Sequence, residues 1–232
     1  MIEQPPIVLL EHATFLPPTP CGRGIEDVNL ILGAGDLVLI RLEPRAVRLP
    51  SLADGASGLI APCEGRVAFN GNSWQRMSAL QTSRTRGQIG RVFDDGGWIS
   101  SMDLAENIVL ARRHHSRKPD REIREEADEL ARLFGLPGLP NGELSQVHHD
   151  VLLKAACIRA FLGRPILLLL ERPTDGAHAE VAPGLMRLIV IARHRGAAIL
   201  WLTAETEVWD DREIRPDRRL RVSGTRLLPD QR

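Results

Sequence analysis

Apolar positions form short runs near the two ends of the chain and helical stripes in its middle. Residues 7–10, 28–32 and 36–42 read as three short strands, the third mostly buried. Pro and Gly punctuate 16–24 as a loop. Residues 51–60 suggest a helix, 65–70 alternate as a strand, Asn70-Gly71-Asn72 signals a turn, and 89–93 is another short strand. In the middle, 121–135 sets Ile123, Ala127, Leu130, Ala131 and Phe134 on one helical face with charges opposite. The stretch 147–162 does the same with Val147, Val151, Ala155, Ile158 and Leu162, and 135–142 between them is a loop. Residues 166–170 and 197–203 are continuous apolar runs, as expected of strands covered on both faces. A helix over 181–194 joins them, and 219–228 alternates about Gly224 as a hairpin or edge strand. This order predicts an α/β sandwich forming one domain over 1–232, with a helical subdomain at about 95–160.

Composition narrows the classes. The 232 residues are 43% hydrophobic, enough for a sizeable core. Lys+Arg and Asp+Glu both total 30, so no basic excess points to a nucleic-acid partner. The positive charge is almost all Arg, the lysines being Lys118 and Lys154 alone. Cys21, Cys63 and Cys157 form no C-x-x-C pair; each reads as a small buried hydrophobe in a reducing compartment. No basic region precedes the apolar run at 7–10, and no apolar run reaches the ~20 residues of a membrane span. The expectation is a soluble, cytoplasmic protein, with a place on a membrane complex left open.

Several stretches in order carry a resemblance. They are Gly33-Ala-Gly-Asp-Leu-Val-Leu-Ile40, Gly58-Leu-Ile-Ala-Pro-Cys-Glu-Gly65 and Ile89-Gly-Arg-Val-Phe-Asp94. Leu104-Ala-Glu-Asn107, Leu144-Ser145, Ala156-Cys-Ile-Arg-Ala-Phe161 and Pro165-Ile-Leu-Leu-Leu-Leu-Glu171-Arg-Pro-Thr174 follow. Together they resemble the nucleotide-binding domain of ABC transporters over nearly the whole chain. The resemblance implies a P-loop-NTPase-like α/β fold, a mixed sheet core with an antiparallel β part, and a helical subdomain. It also implies a membrane permease partner and a homo- or hetero-dimer with a second nucleotide-binding domain.

Chemistry on that scaffold needs a glycine-rich cradle with a Lys for the phosphates and a hydroxyl for magnesium. The corresponding segment, 42–52, holds neither Gly nor Lys. Leu49 stands at the lysine position and Ser51 at the magnesium hydroxyl, while Arg45 and Arg48 could attract phosphate only as point charges. The nucleotide-stacking aromatic falls near Leu16–Pro17, where none occurs; Phe15 reads as core. The family's glutamine becomes Asp94, and its L-S-G-G-Q becomes Leu144-Ser145-Gln146-Val147-His148, where Ser145 also suits a helix N-cap. The magnesium aspartate becomes Glu171, and the general base becomes Arg172, which cannot accept a proton. The next aspartate becomes His178 and the switch histidine Ala204.

No catalytic residue and no metal site are expected, and no cofactor unless Mg-ATP is retained on Arg45, Arg48, Ser51, Asp94, Ser145 and Glu171. His114-His115 and His148-His149 read as surface pairs, and Asp94-Asp95 and Asp210-Asp211 as solvated turns. Trp98, flanked by Gly97, suits either a partner contact or the core. The stretch 96–104 faintly resembles the same loop in ATPases of MCE-type lipid-trafficking transporters. The reading is thus a catalytically degenerate transporter subunit, structural or regulatory, with lipid transport as a candidate role. The alternatives are a divergent active ATPase and a scaffold unrelated to transport.

Overall fold

The computed structural model describes residues 5–16, 24–42 and 52–230. Ten strands form one sheet, in the order β5-β4-β1-β2-β10-β9-β3-β8-β7-β6. Strands β3 (Leu37–Arg41), β6 (Ile89–Val92), β7 (Leu167–Glu171), β8 (Ala198–Thr203) and β9 (Arg218–Ser223) run parallel. On the other side β1 (Val8–Phe15) pairs antiparallel with β2 (Ile25–Leu32) and β4 (Glu64–Phe69). The two-residue β5 (Asn72–Ser73) extends that part. The hairpin partner β10 (Arg226–Pro229) bridges the halves, meeting β2 through Arg226 and Glu26. The mixed sheet with an antiparallel part is therefore present.

β7 and β8 are buried at every position, so their sequences carry no alternation. One core lies on the face covered by α3 (Leu104–His115), α4 (Asp120–Leu133), α5 (His149–Phe161) and α6 (His178–His194). The other lies between the antiparallel strands and α1 (Leu52–Ala56). Ile123, Ala127 and Ala131 on α4 are buried, as its 3.6-residue stripe requires, whereas α5 buries Ala155, Ala156, Cys157 and Ile158 in succession, with Val151 half-buried and Val147 outside the helix, so the single apolar face expected there is not formed.

Three elements depart from expectation. The helix expected over 51–60 ends at Ala56, because Gly58 adopts φ +67° and the chain reverses against Trp74. A Cβ at Gly58 would lie 2.5 Å from the Trp74 indole. Helix α2 (Ala79–Arg86) buries no residue and shows no apolar stripe; a Ser78–Gln81 capping box starts it instead. Finally, α7 (Thr206–Asp210) is a short helix after β8. Cys157 is buried, its thiol pushed up to about 12 by burial, but Cys63 is exposed, contrary to its reading as a buried hydrophobe. Cys21 lies outside the described residues.

Candidate functional site

The parallel strands deliver their carboxyl ends to one edge of the sheet, where ligands of open α/β sheets bind. β3 leads there into 43–51, so Arg45, Arg48 and Ser51 lie outside the described residues. The other ends bring Asp94, Glu171, Arg172 and Ala204 to this edge, beside α1.

Glu171 is buried and, among the described residues, joins an ion network with Arg91 and Asp54. Arg91, on β6 beside β7, sets Nε and Nη2 at 2.8 and 2.6 Å from Glu171 Oε2. Its Nη1 lies 2.6 Å from Asp54 Oδ1 on α1. Arg91 is 10% exposed and Glu171 8%, so the guanidinium sits in a largely dry site between two carboxylates. The ring of Phe93 stacks 4.4 Å from the same guanidinium. Sequence reasoning missed Arg91 and Asp54. The available signal was a charged residue inside the short strand 89–93, which obliges buried acids to pair with it.

Asp94 and Arg172 form a second pair, with Arg172 Nε 3.0 Å from Asp94 Oδ1. Asp94 is thus not simply the solvated turn charge expected of it. The Nε–H is not aimed at the carboxylate and has no hydrogen-bond partner among the described residues. Arg172 holds the left-handed φ of +46°, anchored by its amide donating to Leu202. The loop beyond is tied down by Glu205, another residue the sequence did not single out. Glu205 accepts from the Thr174 hydroxyl at 2.7 Å and the Gly176 amide at 2.9 Å. His178 meets Asp211 at 3.1 Å, so the 210–211 pair is engaged as well.

Ser145 is exposed in a 3-10 turn, Leu144–Gln146. It caps no helix: α5 begins after His148 without a side-chain cap, which corrects that expectation. Trp98 lies in a loop built by Asn107, whose side chain is buried. The Asn107 carboxamide accepts from the Ile99 amide at 2.8 Å and donates to the carbonyls of Ile99, Met102 and Asp103. Trp98 is half-buried against the core, and Arg159 lies over its ring at 4.2 Å and over Phe93 at 5.5 Å. Arg159 also donates to the carbonyls of Gly96 and Gly97. Burial lowers its pKa to about 10, so it keeps its proton at neutral pH. A cavity of about 290 Å³ opens here, lined by Phe93, Asp94, Trp98, His149, Arg172 and Asp175 among others. Exposed Ile99 and Met102 flank it in sequence.

Among the described residues no group of three His, Cys, Asp or Glu side chains is placed to hold a metal, and no helix is long and apolar enough to cross a membrane. Chemically, the edge presents carboxylates held by guanidinium groups.

No family model matches the chain. Among curated proteins it is 28% identical to a probable ribonucleotide transport ATP-binding protein of Mycobacterium leprae, over 79% of this chain and 53% of that one. It is 27% identical to the lipoprotein-releasing system ATP-binding protein LolD 1 of Rhodopseudomonas palustris, over 85% and 86%. The chain spans about half the length of the mycobacterial transport relatives it matches. Among solved structures, a dimeric bacterial ABC transporter cassette superposes with a TM-score of 0.80 at 20% identity, covering 95% of this chain and 96% of that one.

Proposed function

We propose that this chain is an ABC-type nucleotide-binding domain and a non-catalytic subunit of a membrane transport complex. It docks on a permease at the inner face of the membrane and pairs with a second nucleotide-binding domain. The single observation that carries this reading is the ion pairing at the sheet edge. Arg91 holds Glu171, at the magnesium-ligand position, and Arg172 occupies the general-base position against Asp94. These residues do not fit Mg-ATP: two guanidinium groups repel a divalent cation, and neither accepts a proton from water. The segment 42–52 supports the same reading, since it lacks the glycines that let a backbone wrap phosphates.

On this reading 95–160 is a helical subdomain whose loop at 94–102 meets the permease. Trp98, stiffened by Arg159 and flanked by exposed Ile99 and Met102, is the contact. Lipid is the proposed cargo class, resting on the likeness of 96–104 to lipid-trafficking ATPases. A relative named for lipoprotein release is compatible with a lipidated cargo.

Calorimetric titration of the purified chain with Mg-ATP tests the silent site. We expect no saturable heat up to ~1 mM nucleotide, weaker than about −4 kcal/mol of binding. Roughly micromolar binding that disappears in Arg48→Ala would establish the divergent ATPase instead. Purification from membranes with subunit identification separates a transport role from a free scaffold, which would copurify with no integral-membrane protein.

A further inference from the structure

At the amino end of β6, remote from the edge just described, lies a cavity of about 550 Å³. Arg84, Arg112, His114, His115, Arg117 and Arg164 line it, and no Asp or Glu does. They come from the end of α2, the end of α3 with the residues after it, and the loop before β7. None of the four arginines is ion-paired among the described residues, in a chain whose acids and bases are equal in number. The neighbour Arg113, on the same helix, is bound by both Glu106 and Asp120. Glu126 reaches the loop beside the cavity but is taken by the Gly163 amide and Lys118.

The backbone is shaped to receive two of these side chains, one the Arg112 cation and the other His115, whose pKa burial and His114 lower. A Cβ at Gly163 would lie 2.7–2.9 Å from the Arg112 side chain, and one at Gly87 2.7 Å from the His115 ring. Both side chains therefore lie flat on bare backbone. Arg112 Nε is buried there without a hydrogen-bond partner. Arg164 adopts φ +57°, a left-handed conformation that a non-glycine residue rarely takes. The carboxyl ends of α2 and α3 favour nearby cations, but each supplies only about half a negative charge against four arginines.

We infer that this cavity is a binding site for a phosphate group carrying two or more negative charges. Arginine forks match phosphate oxygens bidentately, and several converging forks select a group with two or more negative charges over a monocarboxylate. The volume admits a phosphorylated headgroup. Leu80, 61% exposed, and Ile166 line the same cavity, so the shared chemistry extends to an amphiphile whose chain would lie along them.

Titration calorimetry of the full chain with inorganic pyrophosphate, and separately with dihexanoyl phosphatidic acid, tests the site. Saturable binding of either supports it, and tighter binding of the phosphatidate identifies the amphiphile as the source. The double variant Arg112→Gln/Arg164→Gln should weaken binding at least ~10-fold, the loss of charge-assisted hydrogen bonds. Arg113→Gln, whose guanidinium is already paired, should stay within about twofold of the parent. If the double variant unfolds by circular dichroism, exposed Arg84→Gln and Arg117→Gln carry the same test. No saturable heat with either ligand at ~5 mM, or equal weakening by Arg113→Gln, overturns the assignment.

Discussion

The two ends of β6 use the same residue type in opposite ways. At the carboxyl end Arg91 is enclosed by Glu171 and Asp54 and stacked on Phe93. At the amino end Arg84, Arg112, Arg117 and Arg164 face a cavity without an acid in its lining. A buried guanidinium between two carboxylates is consumed internally: serving a ligand would break its pairing with Glu171 and Asp54. A half-exposed guanidinium without a counter-ion keeps its charge for the outside. The edge where a nucleotide would be handled is thus electrostatically closed, and the opposite end is electrostatically open.

The largest effect that would break this contrast comes from Arg91. Arg91→Ala should destabilise the chain by about 3–5 kcal/mol, because it removes the guanidinium that pairs with buried Glu171. The pair Arg91→Met/Glu171→Met should recover most of that loss, since apolar residues of similar volume replace buried ion pairs at little cost. Urea unfolding of the singles and the double measures the coupling. A loss under ~1 kcal/mol for Arg91→Ala would mean that the closure is only apparent.

Arg172→Glu is a smaller perturbation with a sharper functional reading. It puts a carboxylate at the position proposed for the general base but sets it beside Asp94, which is half exposed. Like charges there, partly screened by solvent, should cost about 1–2 kcal/mol of stability. Phosphate release from Mg-ATP should stay at background, because the base alone does not supply the phosphate cradle. Turnover appearing in this one variant would place the block at Arg172 rather than in the whole edge.

The framework of this edge was legible in the sequence, while its pairing was not. Residues 166–170 and 197–203 announced β7 and β8 because burial on both faces leaves uninterrupted apolar runs. The stripe of α4 was equally plain. Helix α2 escaped notice because it buries no residue and begins on a local capping box. Glu171 and Arg172 were found by their place after β7, but Arg91 and Asp54 lie 80 and 37 residues from their partners. An ion pair of that separation depends on strand register, which sequence spacing does not encode. The basic cavity was hidden for the same reason: its residues are divided among three elements, and only His114-His115 stood out as a pair.

The smallest effect separates two neighbours on α3. Arg113 and Arg124 hold the Glu106 and Asp120 carboxyls below their ordinary values of 4.5 and 3.8, chiefly through side-chain hydrogen bonds. A depressed carboxyl contributes stability that is complete above its ordinary pKa and vanishes as pH falls through the lowered one. The acid limb of a stability profile, below about pH 4.5, should therefore flatten in Arg113→Gln. Arg112→Gln, one residue away and with no carboxylate partner among the described residues, should leave that limb unchanged. Thermal melts of both variants from pH 7 down to about 3 measure the difference. Equal flattening in both would show that Arg112 also answers to an acid, and that the open end of β6 is less open than its geometry indicates.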